Sequence, residues 1–510
     1  MRYGFVIDQT RCIGCHACTV ACKEENGVPL GASRTWVKYV EKGEYPHTRR
    51  YFGVLRCNHC DLAPCVTICP TRALYRRADG IVDFDPARCI GCKSCMQACP
   101  YDALYIDPDT HTAAKCHFCA HRVERGLEPA CVVVCPERAI LAGDLDDPAS
   151  EVSRVVAREQ VLVRKPEKGT RPKLFYVGAD EAVLTPGLQR AAPAFLWGQR
   201  RDGALALAAL AEEAGPGPAR LATTTLKAVE ALGRTVYDVS HEPWPWGWRV
   251  AAYLWTKSVA AGAALIAATS VLLGRGPAGG TLPGIALVFL VLTTALLVLD
   301  LKRPDRFHYI LLKPNPRSWL VWGAWILLAF GVGLALWLHG ILIGSPALLR
   351  ALAWPVVALA VAAAGYSAFL FAQAEGRDFW QSPLVLPHLL VAALTAGFAV
   401  SLLVHGPSPV FRGLLLIGTG VHFLLILAER YTLHATVDAG LAARLLTEGP
   451  SRHVFWGGVV VAGTLLPALL LGWPARDSAL AANLGALLVL FGLYLWEECW
   501  VRAGQAPPLS

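Results

Sequence analysis

From about Trp246 onward the chain is written in long apolar runs separated by short polar ones. The runs extend from Val250 to Leu273, Leu282 to Leu301, Leu320 to Leu342, Leu349 to Ala374, Leu384 to Val404, Val410 to Ala428, Val454 to Trp473 and Ala479 to Trp496. Each is near the ~20 residues a helix needs to cross a bilayer core, so the pattern predicts an all-α, eight-helix transmembrane bundle over 246–510. Polar residues inside these runs are few, and a charge at depth costs ~2.5 kcal/mol or more. They are Lys257 in the first run, Asp300 ending the second, Gln373 and Glu375 ending the fourth, and Glu429 ending the sixth.

An even number of spans returns the chain to the face from which it entered. That face carries Arg249, Lys302, Arg303, Arg306, Lys313, Arg317, Arg377, Arg430, Arg444, Arg452 and Arg502; the other carries Arg275, Arg350, Arg412 and Arg476. The excess predicts a cytoplasmic position for the first face and for the region before Trp246, in a multi-pass protein of the inner (cytoplasmic) membrane. Five of these basic residues share the loop from Lys302 to Arg317, where docking of a partner domain would account for them equally well.

The first half has a different pattern. "MRYGFVIDQTRC" lacks the apolar core of an export signal. Between Asp144 and Trp244, "DPASEVSRVVARE" has helical periodicity after Pro148, "KLFYVGAD" reads as a strand, and "GPGP" at Gly215–Pro218 breaks the chain. A helix is expected from about Leu221 to Tyr237. Residues 146–245 are read as a tether between a domain over 1–145 and the membrane domain.

Composition sharpens this division. Hydrophobic residues make up 54% of the chain, and the net charge of +8 is carried mainly by loops flanking the membrane, which argues against nucleic acid as a partner. Of 17 cysteines, 16 precede Glu137; Cys499 stands alone and reads as a buried thiol. The sixteen form four groups: Cys12, Cys15, Cys18 and Cys22; Cys57, Cys60, Cys65 and Cys69; Cys89, Cys92, Cys95 and Cys99; and Cys116, Cys119, Cys131 and Cys135. This is an internal repeat. In the bacterial ferredoxin run C-x2-C-x2-C-x3-C-P, three thiolates wrap one cubane and the fourth ligates a different cluster. The four groups therefore work in pairs and predict α+β ferredoxin-like repeats holding four [4Fe-4S] clusters. Structural zinc uses two C-x2-C pairs without the third and fourth cysteines seen here, and disulfides do not favour repeated C-x2-C steps. No group lacks a cysteine, so His16, His59, His117 and His121 are not needed as ligands. Glycine in "CIGC" is expected to bring the backbone close to inorganic sulfur.

On these motifs, including the longer inserts of the second and fourth groups, the stretch from about Tyr3 to Leu145 resembles the four-cluster ferredoxin subunit of molybdopterin oxidoreductases of the polysulfide, dimethyl sulfoxide and sulfite type. The resemblance implies that the first and fourth groups pair, as do the second and third. One cluster then takes Cys12, Cys15, Cys18 and Cys135, and the next Cys116, Cys119, Cys131 and Cys22. A third takes Cys57, Cys60, Cys65 and Cys99, and the last Cys89, Cys92, Cys95 and Cys69. It also implies a catalytic molybdopterin-type large subunit as partner.

"LDLKRPDRFHYILLKPNPRSWLVWGAWIL", "YSAFLFAQAEGRDFWQSPL" and "WGWRVAAYLWTKSVAAG" resemble the polysulfide-reductase (NrfD-type) membrane subunit family, quinone-reactive proteins usually without haem. A quinone head needs hydrogen-bond donors or proton sources at its carbonyls. Tyr253, Lys257, Asp300, His308 and Tyr366 are the candidates. Bis-histidine haem could use His339, His388, His405 or His422, but packed or loop-facing histidine is the commoner state, and haem is disfavoured. The expectation is a natural fusion that passes electrons between a catalytic partner and membrane quinone (menaquinone or ubiquinone), with substrate chemistry in the partner. The alternatives are a subunit of an ion-translocating redox complex, with Asp300, Glu375 and Glu429 in a proton path, and a membrane redox sensor or scaffold.

Overall fold

A computed structural model describes residues 1–43, 46–191, 233–239, 242, 244–274, 280–472 and 478–510. The chain divides into two compact units. One contains Met1–Pro245 with Ala374–Arg377 and Ala506–Ser510, the other Trp246–Gln373 and Asp378–Gln505.

The first unit is built on two four-stranded sheets. In one, β1 (Tyr3–Asp8) lies between β8 (Ile140–Asp144), antiparallel with Tyr3 opposite Asp144, and β10 (Leu174–Val177), parallel with Phe5 opposite Leu174; β9 (Val161–Leu162) completes the far edge. In the other, β2 (Thr35–Lys42) and β3 (Arg49–Arg56) form a hairpin, and β12 (Gly233–Tyr237) and β11 (Gln189–Ala191) extend it beyond β2. Two-stranded ribbons, β4 (Leu74–Arg76) with β5 (Val82–Phe84) and β6 (Leu104–Ile106) with β7 (Ala113–Lys115), follow the second and third cysteine groups. The alternation "YGFVID" buries Phe5 and Ile7 with Val37, Val54, Leu174 and Tyr176.

Short helices lie within or just beyond the cysteine motifs: α1 (Ala17–Glu25), α2 (Pro64–Ile68), α3 (Ser94–Ala98), α4 (Ala120–Val123) and α5 (Ala130–Val133). The repeat is visible in the backbone. Gly14 and Gly91 both have φ near +70°, and the next-but-one residues, His16 and Lys93, sit at +60° and +63° as the N-caps of α1 and α3. At Gly14 a side chain would also collide with the Phe52 ring. Glycine in "CIGC" thus answers to a left-handed turn and a close aromatic neighbour.

The stretch expected to be a tether is, over its described residues, part of this unit. The "KLFYVGAD" strand exists as β10, and the helix after Pro148 runs over Glu151–Arg158 (α6), with an acidic first turn and basic last turn that suit its dipole. Both β10 and β12 pair with strands of the first 145 residues, so a boundary at 145 would cut through both sheets. The helix expected over Leu221–Tyr237 is corrected at its end: Gly233–Tyr237 is a strand, because the edge of β2 offers its backbone a ladder. Residues 221–232 and the "GPGP" break lie outside the described residues.

Among its described residues the second unit has eight helices long and apolar enough to cross a membrane: Trp248–Leu272, Thr281–Asp300, Trp319–Leu342, Pro346–Ala372, Val385–His405, Pro409–Tyr431, Val454–Gly472 and Ala479–Gln505. The first span is central, with 83% of its apolar window buried against 22% for the sixth. Its run "VAAGAALIAA" suits that position, since small side chains let neighbouring backbones approach. Gly262 there faces Gly397 of the fifth span, and Gly463 of the seventh faces Gly492 of the eighth, so closely that a side chain at any of the four would strike backbone. The seventh span opens with a π-helical stretch, Val454–Leu465. The eighth continues nine residues beyond the expected end at Trp496. Hydropathy falls at "EECWVRAGQ", but Glu497, Glu498, Arg502, Ala503 and Gln505 are good helix formers, and the Glu498–Arg502 pair supports one face.

Candidate iron–sulfur and membrane sites

The cysteines converge across motifs. One cavity is lined by Cys12, Cys15, Cys18 and Cys135, and another by Cys22, Cys116, Cys119 and Cys131. Cys60 and Cys65 each interact electrostatically with Cys57 and Cys99, while Cys92 and Cys95 interact with Cys89 and Cys69. The structure therefore brings together four sets, and each borrows one cysteine from another motif. Neighbouring sets are also coupled in a definite order. Cys18 interacts electrostatically with Cys131, Cys116 with Cys57, and Cys65 with Cys95, so each set lies near the next.

Burial pushes the Cys18 thiol up to about 11 and the Cys22 and Cys92 thiols up to about 12. Buried thiols this reluctant to ionise need a metal's positive charge to act as thiolates. Amide donors are already aimed at sulfur: Ala139 N–H donates to Cys135 Sγ at 3.3 Å, Ala113 N–H to Cys89 at 3.3 Å and Leu74 N–H to Cys69 at 3.5 Å. Arg56 is fully buried and donates to Cys131 Sγ at 3.1 Å. Burial disfavours its cation, but the neighbouring Cys131, Cys116 and Cys18 outweigh that and hold it charged.

The orphaned donors fit a cluster. Arg56 Nε and Nη2, Asn58 Nδ2 and His59 Nε2 are buried without an acceptor among the described residues. His59 Nδ1 accepts from Val82 N–H at 3.2 Å, so the neutral ring carries its proton on Nε2, where it faces no acceptor. Burial, then Lys115 and Lys173, keep that ring neutral. Arg56 lines the cavity of Cys22, Cys116, Cys119 and Cys131, where sulfides between the thiolates would supply the acceptors it lacks. Among the described residues no three Cys, His, Asp or Glu side chains converge on one metal ion. Rings of thiols around a cavity suit a polynuclear iron–sulfur cluster better than mononuclear zinc. His121 pairs with Glu25 at 2.7 Å, and His16 packs against Tyr39 and Tyr237, so neither is aimed as a ligand.

In the membrane unit, Lys257 is buried and donates to Ala364 O at 3.0 Å and Ser367 Oγ at 2.6 Å, with its ammonium 4.8 Å from the Tyr366 ring centre. Ser367 also engages Tyr253 and Tyr366, and Tyr253 interacts with Asp300. Gly323 of the third span leaves the space that the Tyr366 ring fills. Four of the five quinone candidates, Tyr253, Lys257, Asp300 and Tyr366, are thus connected. His308 is not brought into that group by its ring contacts, which are to Phe307 and Tyr309 in the loop after the second span. Gln373 caps the third span, its side chain accepting from Trp319 N–H at 2.8 Å and donating to Arg317 O at 2.6 Å. Arg303 pairs with Asp305 at 2.9 Å.

Comparison with known families decides what this combination is. A 4Fe-4S binding domain matches residues 9–27 and a 4Fe-4S dicluster domain residues 48–145. The polysulphide reductase NrfD model matches residues 238–506, more than half of the chain. The chain belongs to the polysulphide reductase NrfD family. About a third of this NrfD-family chain is also similar to subunits of reductases. A tetrathionate reductase subunit of Salmonella typhimurium is 49% identical over 201 residues, 38% of this chain and 80% of that protein. A polysulfide reductase polypeptide of Wolinella succinogenes is 44% identical over 181 residues, 34% and 94% respectively. A putative dimethyl sulfoxide reductase iron–sulfur subunit of Halobacterium salinarum is 40% identical over 218 residues, 36% and 81%. This NrfD-family chain is therefore a multi-pass membrane protein fused to an iron–sulfur electron-transfer region.

Sequence reasoning missed one group here. Glu497 is buried in the eighth span and interacts with Lys257 and Glu429. A span ending at Trp496 leaves it in a flanking loop; helix propensity through "EECWVRAGQ" is the signal that could have found it.

Proposed function

We propose that this chain conducts electrons between a catalytic partner, a molybdopterin-type large subunit, and membrane quinone, using four [4Fe-4S] clusters in a row. The observation that carries the reading is the order of the four cysteine sets, each electrostatically coupled to the next. When bound, the clusters supply one-electron transfer. The protein's part is to bury them, hold sixteen thiolates around them and balance their charge with groups such as Arg56.

The quinone site is Tyr253, Lys257, Asp300 and Tyr366. Lys257 and the two tyrosines offer donors to a quinone carbonyl within apolar spans, and Asp300 and Lys257 can exchange its protons. The relatives named as tetrathionate, polysulfide and dimethyl sulfoxide reductase subunits support a catalytic partner. The basic residues flanking the spans favour the inner membrane with the iron–sulfur region on the cytoplasmic side.

The test uses the full chain purified from membranes. Iron should approach about 16 per chain, and a quinol or quinone analogue should change the cluster signal in electron paramagnetic resonance. Lys257→Met and Tyr366→Phe should weaken that response while leaving reduction by dithionite intact. Clusters that neither accept electrons from quinol nor donate them to quinone would overturn the reading. Molybdenum or tungsten co-purifying with a large subunit would identify the partner.

A further inference from the structure

Three buried titratable groups of the membrane unit have no role in the quinone site as described. His388 of the fifth span and His422 and Glu429 of the sixth are each at least 95% buried. Among the described residues, both ring nitrogens of His388, Nε2 of His422 and Oε2 of Glu429 have no hydrogen-bond partner. Oε2 of Glu429 lies 3.5 Å from His388 Nδ1, too long for a formed hydrogen bond but close enough to become one when a proton arrives. The His388 and His422 rings meet edge to face at 4.7 Å, and Trp496 stacks on His388 at 4.8 Å.

Such groups are costly in an apolar bundle, and ionisable side chains kept there mark proton or ion pathways. Their neighbours supply the continuity. Glu429 accepts from Trp500 Nε1 at 3.3 Å and interacts with Glu497 of the eighth span and His434, the partly exposed residue just past the end of the sixth span. Glu497 in turn interacts with Lys257 and Tyr253 of the first span. Glu497 lies eight residues inside its helix, roughly 12 Å from the end, whereas Glu429 lies only two residues from the end of its own. On the other side, His422 lines a small cavity with Thr395, Thr419 and Thr464, part of it walled by the π-helical turn.

We propose that Glu497, Glu429 and His434 form a proton relay from the quinone site to the face on which the sixth span ends, with His388 and His422 as a proton-holding branch beside Glu429. The inference rests on the quinone reading of Lys257 and its neighbours. When a quinol is oxidised, its two O–H bonds break, two electrons leave singly to the clusters, and the two protons pass by way of Lys257 to the Glu497 carboxylate. From there they move to Glu429 and His434 and into water. Quinone reduction reverses each step. The groups facing the relay are Lys257 and Tyr253 from the first span, His388 from the fifth, His422 from the sixth, and Trp496 and Trp500 from the eighth.

The experiment follows quinol-driven cluster reduction by stopped flow in the full chain. Glu429→Gln and Glu497→Gln should slow it by about 10²-fold, the range of a lost proton-transfer group. The solvent isotope effect should rise, while dithionite reduction and quinol-analogue affinity stay as in the wild type. Glu429→Asp should recover most of the rate. If both Gln variants react within twofold of wild type with the same pH profile and isotope effect, the relay is wrong and the quinone site stands. If wild type itself does not react with quinol, both readings fall. Should a Gln variant not fold, the redox-induced infrared difference spectrum decides. A carboxyl band in wild type that shifts in Glu429→Asp supports the relay, and its absence from wild type overturns it.

Discussion

Arg56 shows how one side chain links the soluble chemistry to stability. It is fully buried, donates to Cys131, and its guanidinium lies 4.6 Å from the Phe5 ring centre. A buried cation is tolerable only against negative charge, which cluster thiolates provide. Arg56→Met would leave those thiolates uncompensated. We expect it to destabilise the iron-loaded protein by about 3 kcal/mol or more, read as iron release at lower denaturant, and to shift the adjoining cluster potentials downward in a redox titration. Nothing in the sequence marked Arg56, because it lies just before a cysteine motif rather than within one. Tyr253, Lys257 and Tyr366 were legible because polar groups are conspicuous in apolar runs. Glu497 was not, because it sits where hydropathy falls.

At the level of elements, two contacts can be tested. The first and fifth spans cross at Gly262 and Gly397, where any side chain meets backbone. Gly262→Val should destabilise the membrane unit by about 1–3 kcal/mol, lowering its melting temperature in detergent while the cysteine-bearing unit keeps its iron. In the second sheet, Glu41 on β2 accepts from Arg50 of β3 at 2.9 Å and Arg234 of β12 at 2.6 Å. The Arg234 hydrogen bond, with those from Arg50, holds the Glu41 carboxyl below its ordinary 4.5. Its contribution is therefore present above pH 4.5 and is lost as pH falls through the depressed value. Once corrected for intrinsic exchange, the protection of the β12 amides should fall as the solution is acidified, and Glu41→Gln should flatten that dependence. Protection factors that do not change with pH in wild type would contradict this.

For the whole molecule, the sheet partners set where the iron–sulfur unit ends. A fragment stopping at Leu145 would lose β10, the parallel neighbour of β1, and β12, the neighbour of β2. Two exposed apolar strand edges would result. We expect that fragment to aggregate or to retain little iron, measured after expression under anaerobic conditions; full iron retention in it would show that 146–245 is dispensable.

The sequence by itself determined the fold class, the eight spans and the ligand chemistry, because each is written in local signals: run length, hydropathy and cysteine spacing. Helices after Pro148 and strands such as "KLFYVGAD" were equally local. Tertiary structure alone decided what depends on residues far apart in the chain. It seated Cys135 beside Cys12 and Cys22 beside Cys131, and it paired described parts of the supposed tether, β10 and β12, with strands of the first 145 residues. It also brought Lys257, Glu497, Glu429 and His388 from four different spans into one polar core. Those pairings arise from the packing of separate segments, where burial removes water and leaves each polar group only the partners the fold provides.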